Sequence, residues 1–253
     1  MAMRRAAILF SGRHLSDSAT AKGLEKDLSD MSWFLQSDGG GAWEREEIKI
    51  LPSATKKKVQ AELYRVSHEY DYCVMHYAGH GCHYKSPLNE TCICLTDEDE
   101  LLVSELNSKT GRQLIILDTC RKLTDVVLVE NRQKSLRASA SFGRDIQIYR
   151  ESCRELYDQT LNEAEQGRCV AYACKSGQAA GDNDNGGYFI QSMIQAGMGY
   201  ASQKKSNAVV ASSVLDLAQC FAIAKDKVTG LNYPQEPVLE AGRRISHFPW
   251  AVR

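Results

Sequence analysis

The sequence has no excess charge of one sign and no long apolar run. Its 31 basic and 32 acidic residues leave a formal net charge of -1. This balance gives no reason to expect a nucleic acid or an acidic membrane surface as a partner. A helix that spans a bilayer needs roughly 18 consecutive apolar residues, and no segment approaches that length. The composition, 43% hydrophobic and 25% charged, is ordinary for a soluble globular domain.

The sequence also lacks the cysteine pattern of a secreted disulfide framework. Its nine cysteines are an odd number and are scattered over apolar segments as well as loops, which favours reduced thiols buried as small apolar groups. Residues 1–10 imitate the start of a signal peptide, with two arginines before a short apolar run. That run is too short, and polar residues follow at once. We therefore predict that residues 5–10 form the first strand and that the protein is cytoplasmic.

Predicted strands and helices alternate along the chain. Ser53 is the predicted N-cap of the second helix, and short antiparallel pieces are predicted at 91–95 and 101–103. Alternation of this kind predicts an α/β sandwich around a mainly parallel sheet. The predicted strands are 5–10, 48–51, 71–78, 113–119 and 168–173, and the predicted helices are 21–36, 54–68, 150–165, 188–195 and 211–225.

Two of these strands end abruptly in a reactive side chain. Residues 72–81 (Tyr-Cys-Val-Met-His-Tyr-Ala-Gly-His-Gly) present His80, and residues 114–122 (Leu-Ile-Ile-Leu-Asp-Thr-Cys-Arg-Lys) present Cys120. A thiol is a strong nucleophile only as the thiolate, and a nearby imidazole can take its proton. Parallel sheets gather active sites at the carboxyl ends of their strands. The two segments therefore predict a Cys–His dyad at one edge of the sheet.

These two segments resemble the catalytic segments of caspase-like cysteine peptidases. Asp118, two residues before the cysteine, is typical of paracaspases and metacaspases, whereas true caspases have Gln-Ala-Cys there. The basic pair at 121–122 favours the paracaspase side. The resemblance extends to residues 23–35, 171–189 and 235–249, and so implies a caspase-like α/β/α sandwich in a single domain over 1–253. Its expected parts are a large part at about 1–133, a flexible loop at about 134–150 and a small part at about 151–253.

The resemblance implies roles for individual residues. Cys120 would attack the substrate carbonyl, and His80 would carry the proton to the leaving amine. The backbone N–H groups of Gly81 and Cys120 would stabilise the oxyanion. No third orienting side chain is evident, and members of the family function with a dyad.

The resemblance also implies a preference for basic substrates. The family positions that match Asp27 and Asp118 line the pocket for the side chain before the cut bond, with Ala78 as a further substrate contact. Two carboxylates favour Arg over Lys and repel Asp. Members of the family often have a further acidic residue in the segment that matches 175–177. This sequence has none there, and Asp182 or Asp184 is the candidate to take its role.

Two classes of function therefore stay open. One is an endopeptidase of a stress, immunity or cell-death pathway, with a protein or peptide substrate and an upstream activator. The other is a catalytically silent scaffold that binds a partner. The intact pair of His80 and Cys120 favours the enzyme. The sequence does not decide between monomer and homodimer.

Metal sites are weaker alternatives, and we expect no cofactor. Six soft ligands lie close together in sequence and could hold zinc, but none has a paired Cys-x-x-Cys spacing. The acidic run at 97–100 could bind calcium through Asp97 and Asp99, although a solvated turn is the preferred interpretation. The six soft ligands are His76, His80, Cys82, His83, Cys92 and Cys94.

The predicted loop after Cys120 carries candidate processing sites. It is basic and polar, which is the composition of an exposed nicking site, and in caspase-like enzymes processing often occurs in this region. An enzyme that prefers Arg or Lys could cut itself at Lys134, Arg137 or Arg144. The basic loop has no interleaved aromatic residues, so its sequence does not support nucleic-acid binding.

Overall fold

The computed structural model describes residues 3–12, 18–96, 98–124, 147–183, 186–203 and 213–253. Strands and helices alternate through most of this chain, as predicted. The helices are α1 (Ser18–Gln36), α2 (Lys56–Glu69), α3 (Gln147–Glu163), α4 (Tyr188–Ala201) and α5 (Leu217–Thr229). The strands are β1 (Arg5–Ser11), β2 (Ile48–Leu51), β3 (Tyr72–Ala78), β4 (Gly81–Tyr84), β5 (Thr91–Cys94), β6 (Glu100–Leu102), β7 (Arg112–Asp118), β8 (Leu123–Thr124), β9 (Gly167–Tyr172), β10 (Asp182–Asn183), β11 (Gly186–Gly187), β12 (Val214–Asp216), β13 (Val238–Glu240) and β14 (Pro249–Val252).

The main sheet has six strands in the order β13-β9-β7-β3-β1-β2. Its five neighbouring strands from β9 to β2 are parallel, and β13 is antiparallel at the edge. The central strands β1 and β3 are buried along their whole length, which explains their near-continuous apolar sequences. Because the strands are parallel, β3 and β7 end at the same edge.

Helices and a small second sheet cover the two faces of the main sheet. On one face, α1, α3, α4 and α5 pack over Leu9, Val74 and Ile116 in the larger apolar cluster. On the other face, α2 and strands β5 and β6 pack over Ile8, Met75 and others in a second cluster. Side chains alternate between faces along each strand, so consecutive residues of β3 and β7 serve different clusters. The α/β sandwich is confirmed.

A four-stranded sheet, β6-β5-β4-β8, lies beyond the carboxyl ends of β3 and β7. Strand β4 begins at Gly81, shortly after the end of β3, and pairs antiparallel with β5 and parallel with β8. The short strand β8 follows the end of β7 in the same way. The small sheet therefore joins the two segments that carry the predicted dyad.

The structure corrects several predicted boundaries. Thr55, not Ser53, caps α2: its side chain accepts the Lys58 N–H, while Ser53 has a left-handed φ of 51° and donates its N–H to Ser11 Oγ. Helix α5 begins at Leu217, after strand β12, rather than at 211. Short strands in the tail, β13 and β14, were not predicted because pairing partners distant in sequence define them. Within the described ranges, no helix is long and apolar enough to cross a membrane.

Candidate active site

The ends of β3 and β7 bring His80 and Cys120 to neighbouring positions. The two strands are in parallel register, with Ala78 opposite Asp118, and the Gly79 N–H donates to the Asp118 carbonyl at 3.3 Å. His80 and Cys120 each follow two residues after this matched pair. The predicted dyad residues therefore leave adjacent strands at the same edge, and both residues are partly exposed there.

Gly81 brings the backbone of the histidine segment against the cysteine segment. A Cβ atom at this position would collide with the Thr119 hydroxyl and would lie 3.2 Å from the Cys120 carbonyl. The His83 N–H, two residues later, donates to the Lys122 carbonyl at 2.9 Å. Because alternate residues of a strand point the same way, the Gly81 N–H is directed to the same side. Only glycine allows this close approach.

Backbone contacts fix the turn that carries His80. Its carbonyl oxygen accepts hydrogen bonds from the Tyr77 hydroxyl and the Cys94 N–H, both at 2.9 Å. Burial lowers the pKa of the His80 imidazole. The neighbouring His76 is fully buried, with Nδ1 3.4 Å from the Ile116 carbonyl, and burial lowers its pKa to about 4. His76 lies within the strand, so its position offers no contact with a substrate.

The Cys120 thiol lies against the segment that follows β9. Its Sγ atom is 3.7 Å from the Ala180 carbonyl oxygen. Burial raises the pKa of this thiol, although the positive charge of Lys122 opposes the increase. A raised thiol pKa and a lowered imidazole pKa both favour the neutral forms. Both shifts oppose a resting thiolate–imidazolium pair.

The predicted pocket carboxylates are both buried and lie against one glycine pair. Both carboxylate oxygens of Asp27, on α1, accept the Gly187 N–H at 3.0 and 3.1 Å. Asp118 accepts the Ile190 N–H at 2.9 Å, in the first turn of α4. A Cβ on Gly186 would collide with Asp27, and a Cβ on Gly187 would collide with Asp118. The structure thus brings the two carboxylates together, with glycine required at both contact positions.

Both carboxyls of this pair have raised pKa values. Burial raises the pKa of Asp27 and of Asp118. Asp118 raises the pKa of Asp27 further, and the exposed Asp182 raises both. Asp182 also raises the pKa of Cys120. An incoming guanidinium would stabilise the charged form of each of these three carboxylates.

The sequence of the chain matches a known family model. The caspase domain model covers residues 4–247. The chain belongs to the caspase-domain family. It is therefore a caspase-family cysteine peptidase domain, a hydrolase by class, and the resemblance noted from the two motifs is confirmed at this level.

A solved caspase has the same fold. The crystal structure of caspase-1 from Spodoptera frugiperda is similar with a TM-score of 0.58 and 12% sequence identity, covering 96% of this chain and 88% of that chain. At this identity the likeness shows the fold alone. No curated protein sequence matches the chain.

Some residues of the site were not singled out from the sequence. Gly186 and Gly187 are among them, although two adjacent glycines before an apolar helix signal a close backbone approach. Nothing in the sequence indicated that the Ala180 carbonyl lies beside the Cys120 thiol. Ala78 is buried between Ser11 and Asp118 in the strand register, and its substrate contact stays a prediction.

Several predicted residues fall outside the described chain. They are Asp97 of the calcium hypothesis, the alternative acid Asp184, and the processing candidates Lys134, Arg137 and Arg144. Asp99 is described, and its Oδ2 lies 3.4 Å from the Lys56 N–H at the start of α2. Within the described residues, no three His, Cys, Asp or Glu side chains are arranged to hold a metal ion. The six soft ligands of the zinc hypothesis therefore do not form such a group.

Proposed function

We propose that this caspase-family domain is an active endopeptidase that cuts protein substrates after Arg, and less well after Lys. The observation that carries the proposal is the shared edge of β3 and β7, where the strand register brings His80, Cys120 and Asp118 together, with Asp27 against the same glycine pair as Asp118. The caspase fold supports the peptidase framework, and these residues would supply the nucleophile and the groups that bind a basic side chain.

The reaction follows from the neutral ground state of the dyad. As the substrate carbonyl approaches Cys120 Sγ, the thiol gives its proton to His80 and attacks the carbon. The N–H groups of Gly81 and Cys120 stabilise the oxyanion. His80 then protonates the leaving amine, and a water molecule releases the acyl group from sulfur with His80 as general base.

The carboxylates account for the specificity. A guanidinium that enters between Asp27, Asp118 and Asp182 can bind two carboxylates with parallel hydrogen bonds. Lysine presents a compact charge and fewer fixed donors, so it binds less well. An aspartyl substrate would bring a further carboxylate beside these groups and would offer no positive charge to stabilise their ionised forms. We therefore expect the pocket to reject acidic side chains.

The biological setting is proposed on the family resemblance and on residues 118–122. We place the protein on the paracaspase side of the paracaspase and metacaspase group, in a cytoplasmic stress, immunity or cell-death pathway with an upstream activator. No cofactor is required by the dyad chemistry described above.

A peptide-library profile of wild type beside Cys120→Ala tests the proposal. We expect cuts after Arg and Lys in wild type, none after Asp, and none of any kind in Cys120→Ala or His80→Ala. Loss of the nucleophile or base should reduce the rate by several orders of magnitude. An inactive wild type whose Cys120 does not react with an arginyl electrophile would instead indicate a silent scaffold.

A further inference from the structure

A buried hydrogen-bonded chain joins the cysteine segment to the strand that follows His80. Arg121, directly after Cys120, donates its Nε–H to Thr91 Oγ1 at 2.9 Å. The same Thr91 oxygen is 3.0 Å from His83 Nδ1, and His83 Nε2 is 3.3 Å from Asn89 Oδ1. Arg121, Thr91 and His83 are all buried. This series of hydrogen bonds therefore connects the segment after Cys120 to the segment after His80, on the side of the small sheet.

The donors and acceptors of this chain fit one arrangement. Thr91 accepts from the guanidinium, which leaves its own hydroxyl proton for His83 Nδ1. That assignment puts the remaining imidazole proton on Nε2, where it can be donated to the Asn89 side-chain oxygen. The hydroxyl of Thr91 therefore links Arg121 to His83.

The side chain of Arg121 also contacts neutral groups, and its backbone is hydrogen-bonded. Its NH1 donates to the Cys174 carbonyl at 3.2 Å, and its guanidinium carbon lies 3.9 Å from the centre of the Tyr172 ring. In the described part of the chain, no carboxylate is within ion-pair distance of this side chain. Its backbone is fixed too, because its N–H donates to the Gln178 carbonyl and its own carbonyl accepts the Gly177 N–H.

These hydrogen bonds lie on the opposite face of the main sheet from the carboxylates Asp27 and Asp118. Tyr172 belongs to the cluster covered by α2 and the small sheet, whereas Asp118 shares a face with Ile116 of the other cluster. A change at Thr91 can therefore disturb the relative position of the two dyad segments without touching the groups that hold a basic side chain.

We propose that Thr91 is a positioning residue that sets the geometry of the Cys120 and Gly81 oxyanion donors through Arg121 and His83. This inference rests on the proposed peptidase function. Catalytic geometry is sensitive to small displacements, and a misplacement of about 1 Å can cost on the order of 100-fold in rate. Loss of the hydroxyl is thus expected to reduce the chemical step rather than substrate binding.

The test compares Thr91→Val with Thr91→Ser on an arginyl reporter peptide. We expect Thr91→Val to lower kcat about tenfold or more while KM changes less than about twofold. Thr91→Ser keeps the hydroxyl and should retain wild-type kcat. Thr110→Val is the matched control, because Thr110 is also buried and its hydroxyl donates to the Arg112 carbonyl at 2.8 Å, at the far end of β7. It should lose stability and keep kcat.

The outcomes separate the two proposals. Full kcat in Thr91→Val, beside an active wild type, would overturn the positioning role alone. So would equal losses in Thr91→Val and Thr91→Ser, or a loss confined to KM. Absence of turnover in wild type would overturn the peptidase proposal and this inference with it. If Thr91→Val does not fold, Arg121→Lys serves instead, since it keeps the charge and removes the Nε–H donor, and the same kcat loss is expected.

Discussion

At the scale of single residues, burial controls the protonation of the site. The Cys120 thiol has a raised pKa and the His80 imidazole a lowered one, both because burial disfavours the charged form. The carboxyls of Asp27 and Asp118 have raised pKa values for the same reason. Burial thus disfavours the charged forms at this site, and an incoming cation would favour ionisation of the carboxyls.

Alkylation of Cys120 should show this neutral resting state. Since the raised thiol pKa leaves little thiolate at neutral pH, the rate of reaction with iodoacetamide should rise steadily from about pH 6 to about pH 9. A preformed thiolate–imidazolium pair would instead give a plateau that persists into acid. Mass spectrometry of the Cys120 peptide measures the rate. His80→Ala serves as the control that keeps the thiol and removes the imidazole.

Replacing Asp27 by asparagine should stabilise the fold and impair catalysis. A carboxyl whose pKa is raised on folding binds its proton more tightly in the native state, so the stability it contributes is present below its unfolded pKa, about 3.9, and is lost as pH rises. The asparagine side chain carries no charge, and its oxygen can still accept the Gly187 N–H. Asp27→Asn should therefore raise Tm at about pH 8 more than at about pH 4, measured by thermal denaturation.

The same variant should lose activity on basic substrates. We expect kcat/KM for an arginyl reporter to fall at least about tenfold, which corresponds to about 1.4 kcal/mol. A reporter with citrulline in place of arginine should be affected less, because it has no charge to be stabilised. Unchanged arginine cleavage, or a Tm that falls at the higher pH, would contradict the role assigned to Asp27.

At the scale of elements, the start of α4 connects the pocket carboxylates. Gly186 and Gly187 form the short strand β11, paired with β10, which carries Asp182. Gly186 has a left-handed φ of 106°, and both glycines lie where a side chain would collide with a carboxylate. The approach of α4 to α1 and β7 thus fixes the spacing of the pocket groups.

Two alanine substitutions in this region should have opposite effects. Gly187→Ala forces a methyl group against Asp118 and should destabilise the protein by about 1–3 kcal/mol. Gly199→Ala, near the other end of α4, meets no atom within 4 Å and should stabilise it by about 0.5–1 kcal/mol through helix propensity. Urea denaturation measures both. Equal stability of the two variants would argue against the close approach described here.

At the scale of the whole molecule, residues distant in sequence form one site. Cys120 lies between the segment that carries His80 and the segment after β9, and the candidate processing positions lie in the stretch that joins β8 to α3. The predicted loop bound of 150 is too late, because α3 already begins at Gln147. A cut at one of these positions would separate the large part from the small part while the sheet, which takes strands from both, still holds them together. We therefore propose that such a cut frees this stretch to complete the substrate pocket.

Intact-mass analysis during incubation tests this processing. We expect fragments that end at Lys134, Arg137 or Arg144 in wild type and none in Cys120→Ala, because the enzyme itself prefers basic residues. A triple variant with glutamine at these three positions controls for cutting elsewhere. If wild type stays full length while it cleaves peptide reporters at full rate, processing has no part in activation.

The sequence alone determined the strand ends and the chemistry that they carry. Apolar runs over 72–78 and 114–118 predicted buried parallel strands, and the expected gathering of strand ends placed His80 and Cys120 at one edge. These features depend on local periodicity and on a general property of parallel sheets. The same reasoning predicted helices α1 and α3 but placed the N-cap of α2 at Ser53, because the turn before it depends on a contact with Ser11 in another strand.

Only the tertiary structure decided which backbone and side-chain groups surround the dyad. The contact of Gly187 with Asp27 joins positions 160 residues apart, and Thr91 meets Arg121 across 30 residues. Neither contact follows from the spacing of residue types. Each depends on how α4 and the small sheet dock against the main sheet, which is a result of packing over the whole core.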